Sequence, residues 1–246
     1  MKLVALIPAR LFSKRLPKKV LRNFQGLPII EHVRRKALMT NIFEDVIVIT
    51  GDKKIIDLIK KNNGKTMVSK KKHTSGTSRC AEIASKIKAD IFVIIFADEP
   101  LLLPSQIKKY CDFIKKDKKA QAWNAITELK KNDLFSKNVV KCELDKNNFI
   151  INFTRLPNKK TTTKSVGIMG FRRKILLEYN KLKKTQKEIA TSIEQFRLIN
   201  NKYFLRSVFI KNMPYSINTF SDLKKANNNF INSEIQNKIL KTLLIM

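Results

Sequence analysis

Three short, mostly apolar runs stand out in the first part of the chain, LVALI at 3–7, DVIVIT at 45–50 and IFVIIF at 91–96. Each is too short for a helix that buries itself and is closed by Pro, Gly or an acidic pair, so each reads as a strand covered on both faces. Between them the apolar period lengthens. Ile30, Val33 and Ala37 recur at helical spacing to about residue 40, and Ile55, Ile56 and Ile59 share a helix face until Gly64 ends it. A weaker strand at 66–68 follows, and Ile107, Cys111 and Ile114 mark a further helix. Strand and helix alternate, which predicts an α/β chain with a mostly parallel sheet.

From Trp123 the pattern changes. Residues 125–127, 139–144 and 149–153 read as strands, the last two joined at 145–148 as a hairpin. A helix is expected over 187–200, and one amphipathic helix carrying Phe230, Ile231, Ile235 and Leu240 over 221–246. The 246 residues predict one domain, 1–246, with a small β-rich insertion at about 123–175.

Composition narrows the partners less than its size suggests. The net charge of +31 would ordinarily point to a polyanion, but the lysines are scattered and accompanied by abundant Asn, as at 227–229, the pattern a biased codon supply produces on solvated faces. Aromatics do not interleave with the basic residues in any one stretch, so specific nucleic-acid binding is not expected. Cys80, Cys111 and Cys142 are odd in number and lack a CxxC, which predicts buried reduced thiols. The apolar runs fall far short of the roughly 20 residues that cross a bilayer, and only five apolar residues precede Pro8, so the expectation is a cytoplasmic protein without membrane insertion.

Chemistry collects where strands end. After the first strand, Arg10, Lys14, Arg15, Lys18 and Lys19 fall in one loop with Ser13. Ligands of open α/β sheets bind at this carboxyl edge. A triphosphate would relieve the mutual repulsion of these cations, with guanidinium groups forking onto phosphate oxygens and lysines acting as point charges. A solvated basic run is the alternative reading. The GK[ST] ending of a Walker loop is missing. In HTSGTSR (73–79), Ser75 or Thr77 can cap a helix and Gly76 lets backbone approach a ligand, although capping alone accounts for the Ser and Thr. In FADEP (96–100), Asp98 and Glu99 leave the third strand facing the cations, where hard oxygen donors suit a divalent metal.

The elements PAR, S-x-RLP-x-K and G-x-PII-x-H-V together resemble the N-terminal signature of the CMP-sugar synthetases, nearest their 3-deoxy-manno-octulosonate cytidylyltransferase branch. The resemblance continues through HTSGTSR, DEP, TRLPN (154–158), SVGIMGFRR (165–173), IEQFR (193–197) and SINTFSDL (216–223). It implies a three-layer α/β/α, Rossmann-like nucleotidyltransferase fold whose insertion makes a homodimer contact. It also implies transfer of CMP from CTP to an acidic sugar with release of pyrophosphate, supported by Mg2+.

By the same resemblance Pro8, Ala9, Arg10, Ser13, Arg15, Lys19, Ser75, Gly76, Thr77 and Arg79 bind the nucleotide. Arg10, Arg15, Lys19 and Asp98 serve catalysis. Arg155, Glu194 and Gln195 bind the sugar, and Asp98 and Asn218 hold the metal. The chain departs from the family at several of its motifs. Ser78 stands for Glu, Phe96 and Ala97 for Gln and Gly, Ser165 for His, Met169 for Tyr and Asn218 for the second metal carboxylate. Asn offers a neutral carbonyl oxygen, so metal affinity should fall or the phosphates should carry more of the coordination. Three readings remain open: a synthetase for Kdo or a related acid such as an amino-Kdo or nonulosonic acid, a non-catalytic nucleotide-binding homologue, and a polyanion binder whose RNA affinity falls steeply with salt.

Overall fold

The computed structural model describes residues 1–157, 159 and 161–246. Its first half runs β1 (Leu3–Pro8), a short hairpin β2 (Asn23–Phe24) and β3 (Leu27–Pro28), α1 (Ile29–Leu38), β4 (Asp45–Thr50), α2 (Lys53–Lys61), β5 (Lys65–Val68), α3 (Gly76–Ile83), β6 (Ile91–Ile95) and α4 (Pro104–Lys116). The second half runs β7 (Ala122–Glu128), α5 (Lys131–Leu134), β8 (Lys141–Leu144), β9 (Ile150–Thr154), β10 (Thr163–Arg172), α6 (Arg173–Glu178), α7 (Gln186–Thr191), α8 (Phe196–Asn200), β11 (Leu205–Phe209), α9 (Phe220–Ile231) and α10 (Glu234–Ile245).

The main sheet has the order β11-β7-β10-β6-β1-β4-β5, with the β8–β9 hairpin attached beside β10. β1 pairs in parallel with both β4 and β6, and β4 with β5. The mostly apolar runs follow from helices on both faces. Ala5 and Ile7 pack in one core with Ile30 and Val33 of α1, Ile55 and Ile59 of α2 and Ile107 of α4. Val4 and Leu6 face the other core, with Cys80 and Ala81 of α3 and Ile175 and Leu176 of α6. Every residue of β1 is therefore buried. All three cysteines are free and buried.

Two strands escaped the hydropathy pattern. β10 carries Thr, Lys, Ser and two Gly among its ten residues, a composition that argues against a strand interior, yet it runs antiparallel between β6 and β7. β11 (LRSVF) closes the edge, parallel to β7. On α2, Ile56 is only partly buried while Ile55 and Ile59 form the core face.

Two helices expected as single pieces are broken. The 187–200 segment splits into α7 and α8 at Ser192, which takes a left-handed φ of 54°. Glu188 and Arg197 form a buried pair, with Arg197 Nε donating to Glu188 Oε2 at 2.9 Å. On one straight helix nine residues would separate these groups by roughly 13 Å, so the pair requires the break. The C-terminal segment splits after Asn232, where Ser233 caps α10 and the chain turns back. There Gln236 accepts from the buried Lys36 of α1 at 2.6 Å and also donates to the Leu101 carbonyl.

Candidate active site

The cationic loop leaves β1 with Ala9 still hydrogen-bonded to the Ile49 carbonyl at 3.0 Å, and Leu11 N–H reaches the Asp52 carboxylate at 2.9 Å. Leu16 is fully buried and anchors the loop's middle. Lys18 then takes a left-handed φ of 53° and starts the single 3-10 turn Lys19–Leu21, which turns Lys19 back over the sheet edge. Arg10 and Lys14 have no acidic partner among the described residues.

A cavity of about 640 Å³ opens at this edge. Pro8, Ala9, Arg10, Ser13, Arg15 and Lys19 line one side, Ser75, Gly76 and Arg79 a second, and Asp98 and Asn218 a third. Ser75 caps α3, accepting from Ser78 N–H at 3.2 Å. A Cβ on Gly76 would lie 2.7 Å from the Phe96 ring and 3.0 Å from Pro8, so only glycine lets α3 start this close to the end of β1. Five cations of the lining, Arg10, Lys14, Arg15, Lys19 and Arg79, face the single carboxylate of Asp98. Such an excess of positive charge in one concavity is an anion site.

Lys19 Nζ lies 2.6 Å from Asp98 Oδ2 and 3.3 Å from Asn218 Oδ1. Arg15 reaches the same Asn218 oxygen at 3.1 Å, and Asn138 through its other nitrogen. Asn218 is fixed from both sides. Its neighbour Ile217 donates to the Asp98 carbonyl at 2.9 Å, and its own N–H donates to Asp222, which completes the cap of α9 with Thr219.

Glu99 does not join Asp98 in the cavity. The side chain turns inward, 1% exposed, with Oε1 accepting from Gly167 N–H at 3.1 Å and from the Ser216 hydroxyl. Burial first, then the charge of Asp98, pushes its carboxyl up to about 8. The acidic pair thus supplies one carboxylate to the cavity and one internal tie between β6, β10 and the loop that carries Asn218. Nothing in the sequence distinguished the two acids. The nearest signal is Gly167, where a Cβ would sit 2.4 Å from Glu99 Oε1.

A second cavity, about 710 Å³, adjoins the first, and Phe96 and Asn218 line both. Ser165, Gly167, Gln195 and Ser216 also line it. Gln195 donates to the buried Asn124 at 3.1 Å, and Asn124 to Ser165 at 2.9 Å. Of its lysines, Lys164 pairs with Asp133 at 2.7 Å, while Lys130 and Lys225 make no ion pair among the described residues.

The family profile described as Cytidylyltransferase matches residues 4–210. The chain belongs to the cytidylyltransferase family. A 3-deoxy-manno-octulosonate cytidylyltransferase of Geotalea daltonii is 31% identical over 245 residues, covering 92% of this chain and 97% of that protein. One from Fusobacterium nucleatum subsp. nucleatum is 31% identical over 237 residues, covering 93% and 96%. A solved structure of CMP:2-keto-3-deoxy-manno-octonic acid synthetase complexed with CTP superposes with a TM-score of 0.88 at 28% identity, covering 94% of this chain and 99% of that one. An inositol-1-phosphate CTP transferase from T. maritima, at 14% identity and a TM-score of 0.69, shares the fold.

The remaining expected residues of this cytidylyltransferase sit behind the first cavity. Thr77 is buried, and its N–H donates to Glu194 Oε2 at 3.1 Å, so Glu194 caps the start of α3 from across the chain. Burial raises the Glu194 carboxyl above its ordinary range, opposed by hydrogen bonds from Ser75 and Thr77. Arg155 donates to the carbonyls of Thr191 at 3.1 Å, Lys137 at 3.0 Å and Asn138 at 3.4 Å, and borders neither cavity. Asn158 of the TRLPN motif lies outside the described residues. His73, not among the expected ligands, borders the first cavity and is held by Glu82 at 2.7 Å and Ser78 at 3.1 Å.

The oxygens expected to hold a divalent cation are tested by what they already hold. Asp98 Oδ2 and Asn218 Oδ1 converge on one ammonium nitrogen, so they can share one small cation. No group of three or more His, Cys, Asp and Glu that could hold a metal occurs among the described residues. One carboxylate and one amide oxygen fit Mg2+, which keeps several waters and shares its shell with substrate phosphates, and would not fit a cation needing an all-protein cage.

Proposed function

We propose that this cytidylyltransferase activates 3-deoxy-manno-octulosonate, or a closely related 2-keto-3-deoxy acid sugar, with CTP in the cytoplasm. The anomeric hydroxyl attacks the α-phosphorus of CTP in line, the bond to the bridging oxygen breaks, and CMP-sugar and pyrophosphate form. The observation that carries the reading is the first cavity, which opens onto a second, polar cavity and where five cations converge on one carboxylate, Asp98, which pairs with Lys19 alone.

Such transfer needs alignment and charge neutralisation more than covalent help. Arg10, Lys14 and Arg15 take the phosphates and Lys19 the charge developing near the α-phosphorus. Ser75, Gly76 and Arg79 present the polar start of α3 to the nucleoside. Asp98 and Asn218 hold Mg2+, which when bound lowers the pKa of a ligated hydroxyl and screens phosphate charge. Gln195, set by Asn124, faces the acceptor, and a homodimer is part of the same reading.

The test is purified protein with Mg2+, each of the four nucleoside triphosphates and a panel of acid sugars, following pyrophosphate. The expected result is release with CTP and a Kdo-type acid only. CTP binding without release for any acid would instead favour a non-catalytic nucleotide-binding homologue, a reading that Asn218 in place of a carboxylate motivates.

A further inference from the structure

Between Asp98 and Asn218 this chain already places a cation of its own. Lys19 Nζ donates to Asp98 Oδ2 at 2.6 Å and to Asn218 Oδ1 at 3.3 Å, with its side chain 14% and that of Asp98 23% exposed. The second donor on Asn218 is the Arg15 guanidinium, so the amide oxygen is shared by two cations. We infer that the Lys19 ammonium holds the metal position while no nucleotide is bound, and that a divalent cation is admitted only together with the triphosphate, whose oxygens take Lys19 over.

Three observations carry this. The first is charge. Arg15 and Lys19 face Asp98 alone, because Asn218 is neutral and Glu99 is turned away and tied to Gly167 and Ser216. A free divalent cation would enter a place where positive charge already exceeds negative, and repulsion at roughly 4 Å in a partly buried site is worth several kcal/mol. A bound triphosphate reverses the sign of the whole cavity. The second is preorganisation. The Ile217–Asp98 backbone bond and the Asp222 cap fix the backbone that carries the two oxygens, so the strand end and the Asn218 loop cannot draw apart to seat a metal beside the ammonium. The third is mobility of the blocking group. Lys19 sits on a single 3-10 turn, and its long side chain can swing from Asp98 to a phosphate without moving the backbone.

The inference rests on the Mg2+-supported transfer proposed above, but its test reads metal binding and not turnover. Mn2+ is titrated into the nucleotide-free protein, with electron paramagnetic resonance reporting free Mn2+ and water-proton relaxation reporting protein-bound Mn2+. Wild type should bind no Mn2+ at submillimolar concentration, and adding CTP should produce a protein-bound Mn2+ complex. Asn218→Asp, which adds the missing charge, and Lys19→Met, which removes the blocking one, should each tighten nucleotide-free binding at least about tenfold. Circular dichroism checks that both variants fold. Stoichiometric Mn2+ binding by nucleotide-free wild type overturns the inference. So does failure of both folded variants to gain binding. A missing pyrophosphate signal with this metal pattern intact would instead count against the proposed reaction alone.

Discussion

The two cavities differ in how their polar groups are satisfied. In the first, Arg10 and Lys14 point into open space without acidic partners, and the single carboxylate is outnumbered. Around the second, Lys164 is engaged with Asp133, Gln195 with Asn124 and nearby Arg155 with three backbone carbonyls, whereas Lys130 and Lys225 make no ion pair among the described residues and Asp133 and Asp222 share the lining with them. Unneutralised charge held in a rigid frame is what a charged ligand relieves, whereas a guanidinium bonded to three backbone carbonyls is part of the frame. The comparison separates a first cavity with cations left for a ligand from an Arg155 that the fold already uses.

The largest test of that division is Asp98→Asn, which leaves the first cavity with no carboxylate. Pyrophosphate release should fall about 10³-fold with the melting temperature nearly unchanged, since losses of this order accompany removal of a group that stabilises developing charge. Retained activity would break the assignment. Next comes Arg155→Met. It removes three bonds to carbonyls, of which only the one to Thr191 is partly buried, so stability measured in urea should fall by about 1–2 kcal/mol. A sugar ligand would behave differently, with the KM for the acid rising more than about tenfold and stability unchanged. Gly167→Ala drives a methyl group into Glu99, and a loss of about 1–2 kcal/mol is expected.

Much of this was legible in the sequence because the responsible physics is local. Runs covered on both faces announced β1, β4 and β6, and the cations crowded into one loop do line one cavity at the sheet edge. Other features depend on distant partners and left no local signal. β10 hides because its glycines serve close packing, one of them against Glu99. The break at Ser192 follows from a Glu188–Arg197 pair that no periodicity encodes. Asp98 and Glu99 are adjacent in sequence but point to opposite jobs, which only the folded sheet decides.

The smallest expected effect is a pH slope set by the buried His32 of α1. His32 is buried against Phe24 and Phe230, and its Nδ1 has no partner. Burial first, and the charges of Lys36 and Arg35, bring its pKa to about 4 despite the hydrogen bond to the Phe24 carbonyl. The unfolded chain, with a histidine pKa near about 6.5, binds this proton first. Stability therefore falls as pH drops from about 6.5 toward 4 and loses nothing further through His32 below that. In His32→Gln the melting temperature should decline less steeply over this window than in wild type. Identical slopes would place the acid sensitivity elsewhere.

The central claim is that the cationic loop and the Asp98 strand end grip the phosphates of one nucleotide. Calorimetric titration of CTP against CMP, in wild type and in Arg10→Ala/Lys14→Ala, tests it most directly. The account predicts that wild type prefers CTP by about 100-fold or more and that the double variant loses most of this preference while CMP affinity holds. Equal affinity for CTP and CMP in wild type would contradict it.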